Sequence, residues 1–314
     1  MKKYDVIVVG GGAAGLSGAL ALVRSRRSVL VVDDGSPRNA PAEGVHNYLT
    51  RDGVPPAELY AIGRQEVAGY GGEFATGTVT AVRRDELFTV ELADGTTYQG
   101  RRLLVTTGLT DVLPDVQGLA ERWGRDVLHC PYCHGWEVRD QAIGILATSG
   151  MATHQALLFR QLSDDVTLFL HTAPEPTDEQ WEQLAARGIS VVQGKVEQLE
   201  VENDKLTGVR LEGGRVIPRQ ALAVQTSMRA RAGFLADLGL ETVEQEVNGL
   251  VLGTVVAADP LGTTAVPGVF VAGNVTDARA TVMPAAAAGL MAAGGINADL
   301  IAEETRLAVA ARSS

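Results

Sequence analysis

Six residues near the N-terminus restrict the fold more than any other stretch. Gly10-Gly11-Gly12-Ala13-Ala14-Gly15 follows an apolar, β-rich run at residues 4–9 and opens a helical pattern at residues 16–26. A second apolar run at residues 28–32 ends in Asp33-Asp34. This is a strand–turn–helix–strand unit of about 30 residues, the context in which a Gly-x-Gly-x-x-Gly spacing becomes informative. Gly10 permits the tight turn, Gly12 lets a pyrophosphate approach the backbone, and Gly15 lets the helix pack closely on the sheet. The start of the helix, at Ala13 and Ala14, then offers free N–H groups and a partial positive charge to phosphates. Asp33, with Asp34 beside it, can accept hydrogen bonds from ribose hydroxyls. A carboxylate there repels a 2′-phosphate, which points to FAD or NAD rather than NADP.

The remaining pattern is α/β. Residues 73–82, 87–92 and 103–107 read as strands, with Asp94-Gly95 as a hairpin turn. A second strand–helix–strand unit follows at residues 142–146, 151–162 and 166–171, an imperfect repeat of the first. Residues 178–186 read as a helix, 189–193 as a strand, and 195–211 as a hairpin around Asn203-Asp204. The chain closes with a strand at 269–272 and a helix at 285–302. Two dinucleotide-binding-type domains account for the length of 314 residues, and 36 glycines suit the many tight turns.

Charge excludes one class of partner. With 27 Lys and Arg against 38 Asp and Glu, a net charge of −11 and no basic run, the chain lacks the cationic footprint of a nucleic-acid binder. No apolar run is read as reaching the roughly 18–20 residues that span a bilayer. Lys2 and Lys3 precede too short an apolar stretch to form a signal peptide, so Asn274-Val275-Thr276 is a chance match to a glycosylation acceptor. The expectation is a cytoplasmic protein without a membrane partner.

The only two cysteines are Cys130 and Cys133, in His129-Cys130-Pro131-Tyr132-Cys133-His134-Gly135-Trp136-Glu137. Two cysteines cannot form a structural disulfide framework, whereas a Cys-x-x-Cys can close and open a small redox ring. Cys-Pro-Tyr-Cys is also the glutaredoxin signature, but that fold places it after its own first strand, not between two dinucleotide-type units. Zinc binding by His129, Cys130, Cys133 and His134 fails because adjacent residues cannot readily all face one tetrahedral centre, and no distant ligand pair exists. No metal is expected.

Two further stretches carry a family resemblance. Thr106-Thr107-Gly108, followed by Pro114, resembles the motif closing the first half of an FAD domain, and residues 266–274 (Val-Pro-Gly-Val-Phe-Val-Ala-Gly-Asn) resemble its second-half motif. With the cysteine pair between them, essentially the whole chain is similar to the low-molecular-weight thioredoxin reductases. The resemblance implies residues 1–114 as the first half of an FAD-binding domain, 115–240 as an inserted NAD(P)-type domain carrying the cysteines, and 241–314 as the second half. It implies a homodimer, and FAD held also by Asn47, Val79, Thr107, Gly108, Gly273 and Asn274. Asn47 is placed near the isoalloxazine and Val79 near the adenine. The family has Asp where this chain has Asn274, and Asn can still bond a ribityl hydroxyl. The family's Gln near the flavin maps to Thr281, which leaves the flavin contacts at residues 281–288 open. Cys133 would face the flavin and Cys130 the substrate.

His134 stands where ordinary thioredoxin reductases carry an acidic Asp. Cys-x-x-Cys-His-Gly-aromatic-Glu resembles instead the flavin-dependent dithiol oxidases that close disulfides in holomycin, gliotoxin and romidepsin biosynthesis, which implies His134 as base. His129 and Glu137 are open between proton transfer and structural bonding. The inserted unit's own nucleotide turn is Ala147-Thr148-Ser149-Gly150-Met151-Ala152, with a Cβ where pyrophosphate needs a glycine. The family's two phosphate-binding arginines after the next strand are replaced by Leu170-His171-Thr172-Ala173-Pro174. Loss of NADPH binding makes a small-molecule dithiol the expected electron donor and O2 the acceptor. A thioredoxin reductase-like disulfide reductase using NADPH, ferredoxin or another electron donor and a non-catalytic flavin-binding protein are the alternatives.

Overall fold

Strand Lys3–Val9 is buried at Val6, Ile7, Val8 and Val9, which explains a continuous apolar run instead of alternation. The computed structural model describes residues 2–313 and sets this strand inside a seven-stranded sheet. Parallel neighbours flank it, Val29–Asp33 on one side and Thr97–Val105 on the other. The sheet extends past the first to Glu73–Thr76 and past the second to Phe88–Leu92 and Val79–Arg84. Val269–Val271, far along the chain, pairs in parallel with the end of Thr97–Val105. The run expected as one strand at 73–82 is therefore two strands with different partners. Glu73–Thr76 lies parallel to Val29–Asp33, and Val79–Arg84 antiparallel to Phe88–Leu92.

Helix Ala13–Arg24 packs one face of this sheet together with the long C-terminal helix Val282–Ser313. The shared core includes Ala19, Leu22, Ala292, Ala293, Ile296 and Leu300. Arg102 bonds Glu303 at 2.8 Å and Arg27 bonds Glu304 at 2.6 Å, holding the helix end to the sheet. One expectation is corrected here. Val282–Arg312 is long and apolar enough, at mean hydropathy 1.4, to cross a membrane by length and composition. The run is rich in Ala and Gly, which do not stand out as an apolar stretch on reading. Its buried inner face gives the apolar character a second cause, packing against Ala13–Arg24. Helix Pro56–Gly69 was not foreseen, because only Pro56, Tyr60 and Val67 are buried and the apolar stripe is thin.

A second, all-parallel sheet runs Ser190–Val192, Val166–Phe169, Ile143–Leu146, Ala221–Val224, Val127–Leu128. Its three central strands are buried throughout. Beside it lies the three-stranded antiparallel sheet Val196–Glu202, Lys205–Leu211, Val216–Pro218. The chain leaves the first sheet through Leu109–Val112 and returns through Ser227–Ala230. These two crossing strands pair antiparallel and join Leu250–Val256 and Thr242–Val247 in a fourth sheet. The carboxyl ends of the first sheet's strands and the cysteine segment therefore face one cavity of about 880 Å³, where open α/β sheets bind their ligands.

Candidate active site

The glycine turn is built as its spacing requires. A Cβ at Gly15 would lie 1.9 Å from the Gly10 carbonyl oxygen, so only glycine lets the helix approach the strand end. Gly10 has φ +107°, and its Cβ would meet the Thr106 carbonyl at 2.5 Å. Gly12 differs: a Cβ there meets nothing within 4 Å and projects where Gly12 lines the cavity. Gly12 also caps helix Ala13–Arg24 without a side-chain bond, and Ala13 and Ala14 line the same space. Backbone N–H groups at a helix start and room beside them fit a pyrophosphate. Gly12→Val is therefore expected to fold with a cost of about 1 kcal/mol or less but to emerge without flavin. Absorbance and thermal melting of the purified variant check this.

Asp33 accepts the Gly11 N–H at 2.8 Å with one oxygen and Arg64 Nη1 at 3.1 Å with the other. Arg64, on the unforeseen helix, also lines the cavity and fixes the carboxylate. Asp34, Val79, Thr107, Gly108, Gly273 and Asn274 line it too. Two of the expected residues also make bonds within the protein. Asn274 donates its amide to the carbonyls of Asp277 at 3.0 Å and Ala280 at 2.8 Å, so it staples the turn at 277–280. Asp, which cannot donate, could not do this. Asn47 is not among the lining residues; it is exposed, has φ +60°, and donates to the Tyr132 carbonyl. It ties the loop at residues 44–54 to the cysteine segment.

Cys130, Cys133 and His134 line the same cavity as the glycine turn. Cys130 caps the short helix Pro131–His134, and its Sγ accepts the Cys133 N–H at 3.2 Å. Hydrogen bonding from the Cys133 thiol, helped by backbone N–H groups and the Arg38 charge, outweighs burial and pulls Cys130 down to about 7. The same pairing, with burial, pushes Cys133 above its usual range. Cys130 is thus the thiol that ionises first, which suits it to disulfide exchange. Burial lowers His134, with Glu137 and Glu43 opposing and His46 assisting, so its neutral, basic form is favoured. His129 Nδ1 donates to the Val224 carbonyl at 3.1 Å, a structural bond. No group of three or more His, Cys, Asp or Glu side chains among the described residues could hold a metal.

Arg38 was not foreseen. Its guanidinium forms two bonds to Asp111, at 2.6 and 2.7 Å, and approaches Asn274 Oδ1 at 3.5 Å. Thr226 donates to the same carboxylate at 2.7 Å. No local pattern marks these residues, which lie 73 and 115 positions apart in the two bonds.

The model of the pyridine nucleotide-disulphide oxidoreductases matches residues 4–292. The chain belongs to that family. Within it, the chain is 32% identical over 312 residues to thioredoxin reductase tcpT of Claviceps purpurea, covering 94% of this chain and 95% of the relative. Thioredoxin reductase sirT of Leptosphaeria maculans is likewise 32% identical, covering 94% and 93%. The solved structure of HlmI is 46% identical, with a TM-score of 0.91 over 98% of this chain and 96% of that one. As a member of this family's thioredoxin reductase-like branch, the protein is a FAD-dependent redox enzyme.

The side chains at the turn of residues 147–152 bond within the protein. Ser149 Oγ bonds Gln225 Oε1 at 2.8 Å and accepts the Met151 N–H at 3.3 Å, and Thr148 donates to the Gln225 carbonyl at 2.9 Å. His171 has φ +45° and its Nδ1 accepts the Val196 N–H at 3.0 Å. Where a 2′-phosphate would need cations, the imidazole is thus committed to the backbone, and nearby Lys195 pairs with Glu212 at 3.3 Å.

Proposed function

We propose that the protein is a dithiol oxidase that closes an intramolecular disulfide in a small-molecule, natural-product dithiol, with dioxygen as final acceptor. The observation that carries this is the turn at residues 147–152, where Ser149 stands in place of a glycine and bonds Gln225, together with a cysteine pair that lines the same cavity as the glycine turn. The relatives' names give only the redox class; the direction of electron flow rests on that turn.

His134, kept neutral by burial, takes the proton of a substrate thiol. The thiolate attacks Cys130 of the Cys130–Cys133 disulfide, forming a mixed disulfide and releasing the Cys133 thiolate. The second substrate thiolate, its proton lost to solvent, attacks the substrate sulfur of that bond, so the substrate leaves as a disulfide and Cys130 leaves as a thiolate. The glycine turn, Asp33 and the residues near Gly273 would hold FAD, which when bound would supply the two-electron acceptor for the reduced pair and the route to dioxygen. The net change is one dithiol and one O2 to one disulfide and one H2O2.

Anaerobic mixing with a dithiol is expected to bleach the flavin within seconds, while NADPH leaves it oxidised; oxygen uptake should match disulfide formed one to one. Rapid bleaching by NADPH would sink the oxidase reading. One observation favours a second reading. Tyr132 and Trp136, beside the cysteines, are 69% and 66% exposed, a surface on which a protein disulfide could sit. Reduction of a thioredoxin, coupled to insulin, distinguishes that activity. Leu290 and Met291, exposed on the outer face of the C-terminal helix, suit a homodimer contact.

A further inference from the structure

The segment that follows strand Val29–Asp33 touches the cysteine-bearing part of the molecule at three separate points. The sheet that leads into Cys130 through Val127–Leu128 is joined to the first sheet by two paired strands, Leu109–Val112 and Ser227–Ala230. Two short strands leave the angle between the sheets to be fixed by other contacts. The first such contact is on the strands themselves. Asp111 and Met228 stand opposite each other in the ladder. Arg38 Nη2 reaches both, donating to Asp111 Oδ1 at 2.7 Å and lying 3.7 Å from Met228 Sδ, while Nε donates to Asp111 Oδ2 at 2.6 Å. One planar guanidinium thus spans one rung of the connection. The second contact is at Gly124, which has φ +82° and precedes Val127–Leu128. A Cβ there would lie 2.5 Å from Pro41 Cβ, so the proline ring packs on bare backbone. The third is Asn47, whose amide donates to the Tyr132 carbonyl, between the two cysteines. Asn47 sits at φ +60° and its own N–H bonds Asp52 Oδ1 at 2.9 Å, so the turn aims the amide.

We propose that residues 38–47 form a latch that holds the cysteine segment against the flavin cavity, with Arg38, Pro41 and Asn47 as positioning residues for electron exchange between the Cys130–Cys133 pair and the flavin. This rests on that pair exchanging electrons with the flavin, whichever way they flow. Each contact blocks a different displacement. Arg38 ties both connecting strands to the loop at the carboxyl end of Val29–Asp33, so the strands cannot bend independently of the first sheet. Pro41 against Gly124 stops the two parts from closing further, because no side chain lies between to be compressed. Asn47 stops the cysteine turn from lifting, since its bond is to the backbone of the turn and not to a mobile side chain. Electron transfer from a dithiol through a sulfur pair depends on sub-ångström placement, so a latch acting on the turn sets the rate without touching the reacting atoms.

The test uses the holoenzyme, anaerobic stopped-flow bleaching by dithiothreitol, and amide hydrogen exchange read by mass spectrometry. Asn47→Ala, on an exposed loop, and Arg38→Lys are each expected to lower the bleaching rate at saturating dithiothreitol roughly 10-fold, at an unchanged half-saturating concentration. Arg38→Lys keeps the cation beside the cysteines but loses the fork, so the alkylation midpoint of Cys130 should stay in place while bleaching slows. That separates positioning from charge. Hydrogen exchange reads the latch apart from activity. Asn47→Ala should speed exchange at residues 109–112 and 227–230, remote from the substitution, and Arg38→Lys should speed it at residues 130–135. The double variant should lose little more rate than either single one, because both open the same contact. Faster exchange confined to the neighbourhood of each substitution overturns the proposal, as do additive losses in the double variant. FAD lost from Asn47→Ala assigns that side chain to the cofactor and overturns its place in the latch. Wild-type enzyme that no dithiol bleaches fails the reading of the cysteine pair itself, whereas wild-type bleaching with unchanged variants fails the latch alone, so the two failures are distinguishable.

Discussion

Cys130→Ser is expected to lower dithiol oxidation by at least about 10³-fold, with flavin still bound. The serine lines the same cavity, but no disulfide can form with Cys133 and no substrate sulfur can be held in a mixed disulfide. Cys133→Ser should be equally inactive in turnover, since one sulfur cannot accept an electron pair without its partner. The wild-type enzyme separates the two roles. Cys130, held at about 7, is close to half thiolate at neutral pH, whereas Cys133 stays protonated through that range. Pulse alkylation of the reduced enzyme at pH 7 should therefore mark Cys130 first, with a rate that rises through pH 7. Peptide mass spectrometry reads this directly. First labelling at Cys133, or a midpoint in the ordinary thiol range, would contradict the assignment of Cys130 as the exchanging thiol.

The features legible in the sequence were those whose meaning is local. Gly10, Gly12 and Gly15 act within one turn, and the steric reasons for Gly10 and Gly15 lie within that turn and the Thr106 strand end beside it. Cys130 and Cys133 lie three residues apart, and the hydrogen bond between them belongs to a single helical turn. What escaped was long-range pairing. His46 meets Glu137, and Arg38 meets Asp111, across sequence gaps that no periodicity spans. Asn274 illustrates a subtler limit. Reading it as a weakened Asp kept the family's role, whereas its amide is the group that bonds the carbonyls of the turn at 277–280. The departure from the family residue adds donors to a position that keeps an acceptor oxygen, which Arg38 approaches. Helix Pro56–Gly69 escaped for the opposite reason: its few buried side chains leave no stripe to read, yet Arg64 on it holds Asp33.

Arg38→Met is expected to cost about 3–5 kcal/mol of stability at pH 7. Asp111 lies on one crossing strand with a side chain only 6% exposed, and Thr226 immediately precedes the other. Burial disfavours its ionised form, but the two Arg38 bonds, the Arg38 charge and the Thr226 hydroxyl hold its carboxyl below the usual range. In the wild type this contribution is present above the unfolded carboxylate value, about 3.9, and is lost as pH falls through the lower native value. Without Arg38 the sign reverses. Burial then raises the native value above the unfolded one, so the defect is full at neutral pH and shrinks as acid protonates Asp111. Urea unfolding with FAD held constant, at pH 7 and at pH 4.5, measures both ends. Arg38→Met with Asp111→Leu removes the orphaned charge as well and should recover most of the loss, because a buried pair replaced by packed apolar groups is close to neutral. The double variant still lacks the Arg38 charge that favours the Cys130 thiolate, so its alkylation midpoint should move upward while its stability returns. A penalty of equal size at both pH values would instead assign the cost to lost packing of the Arg38 side chain.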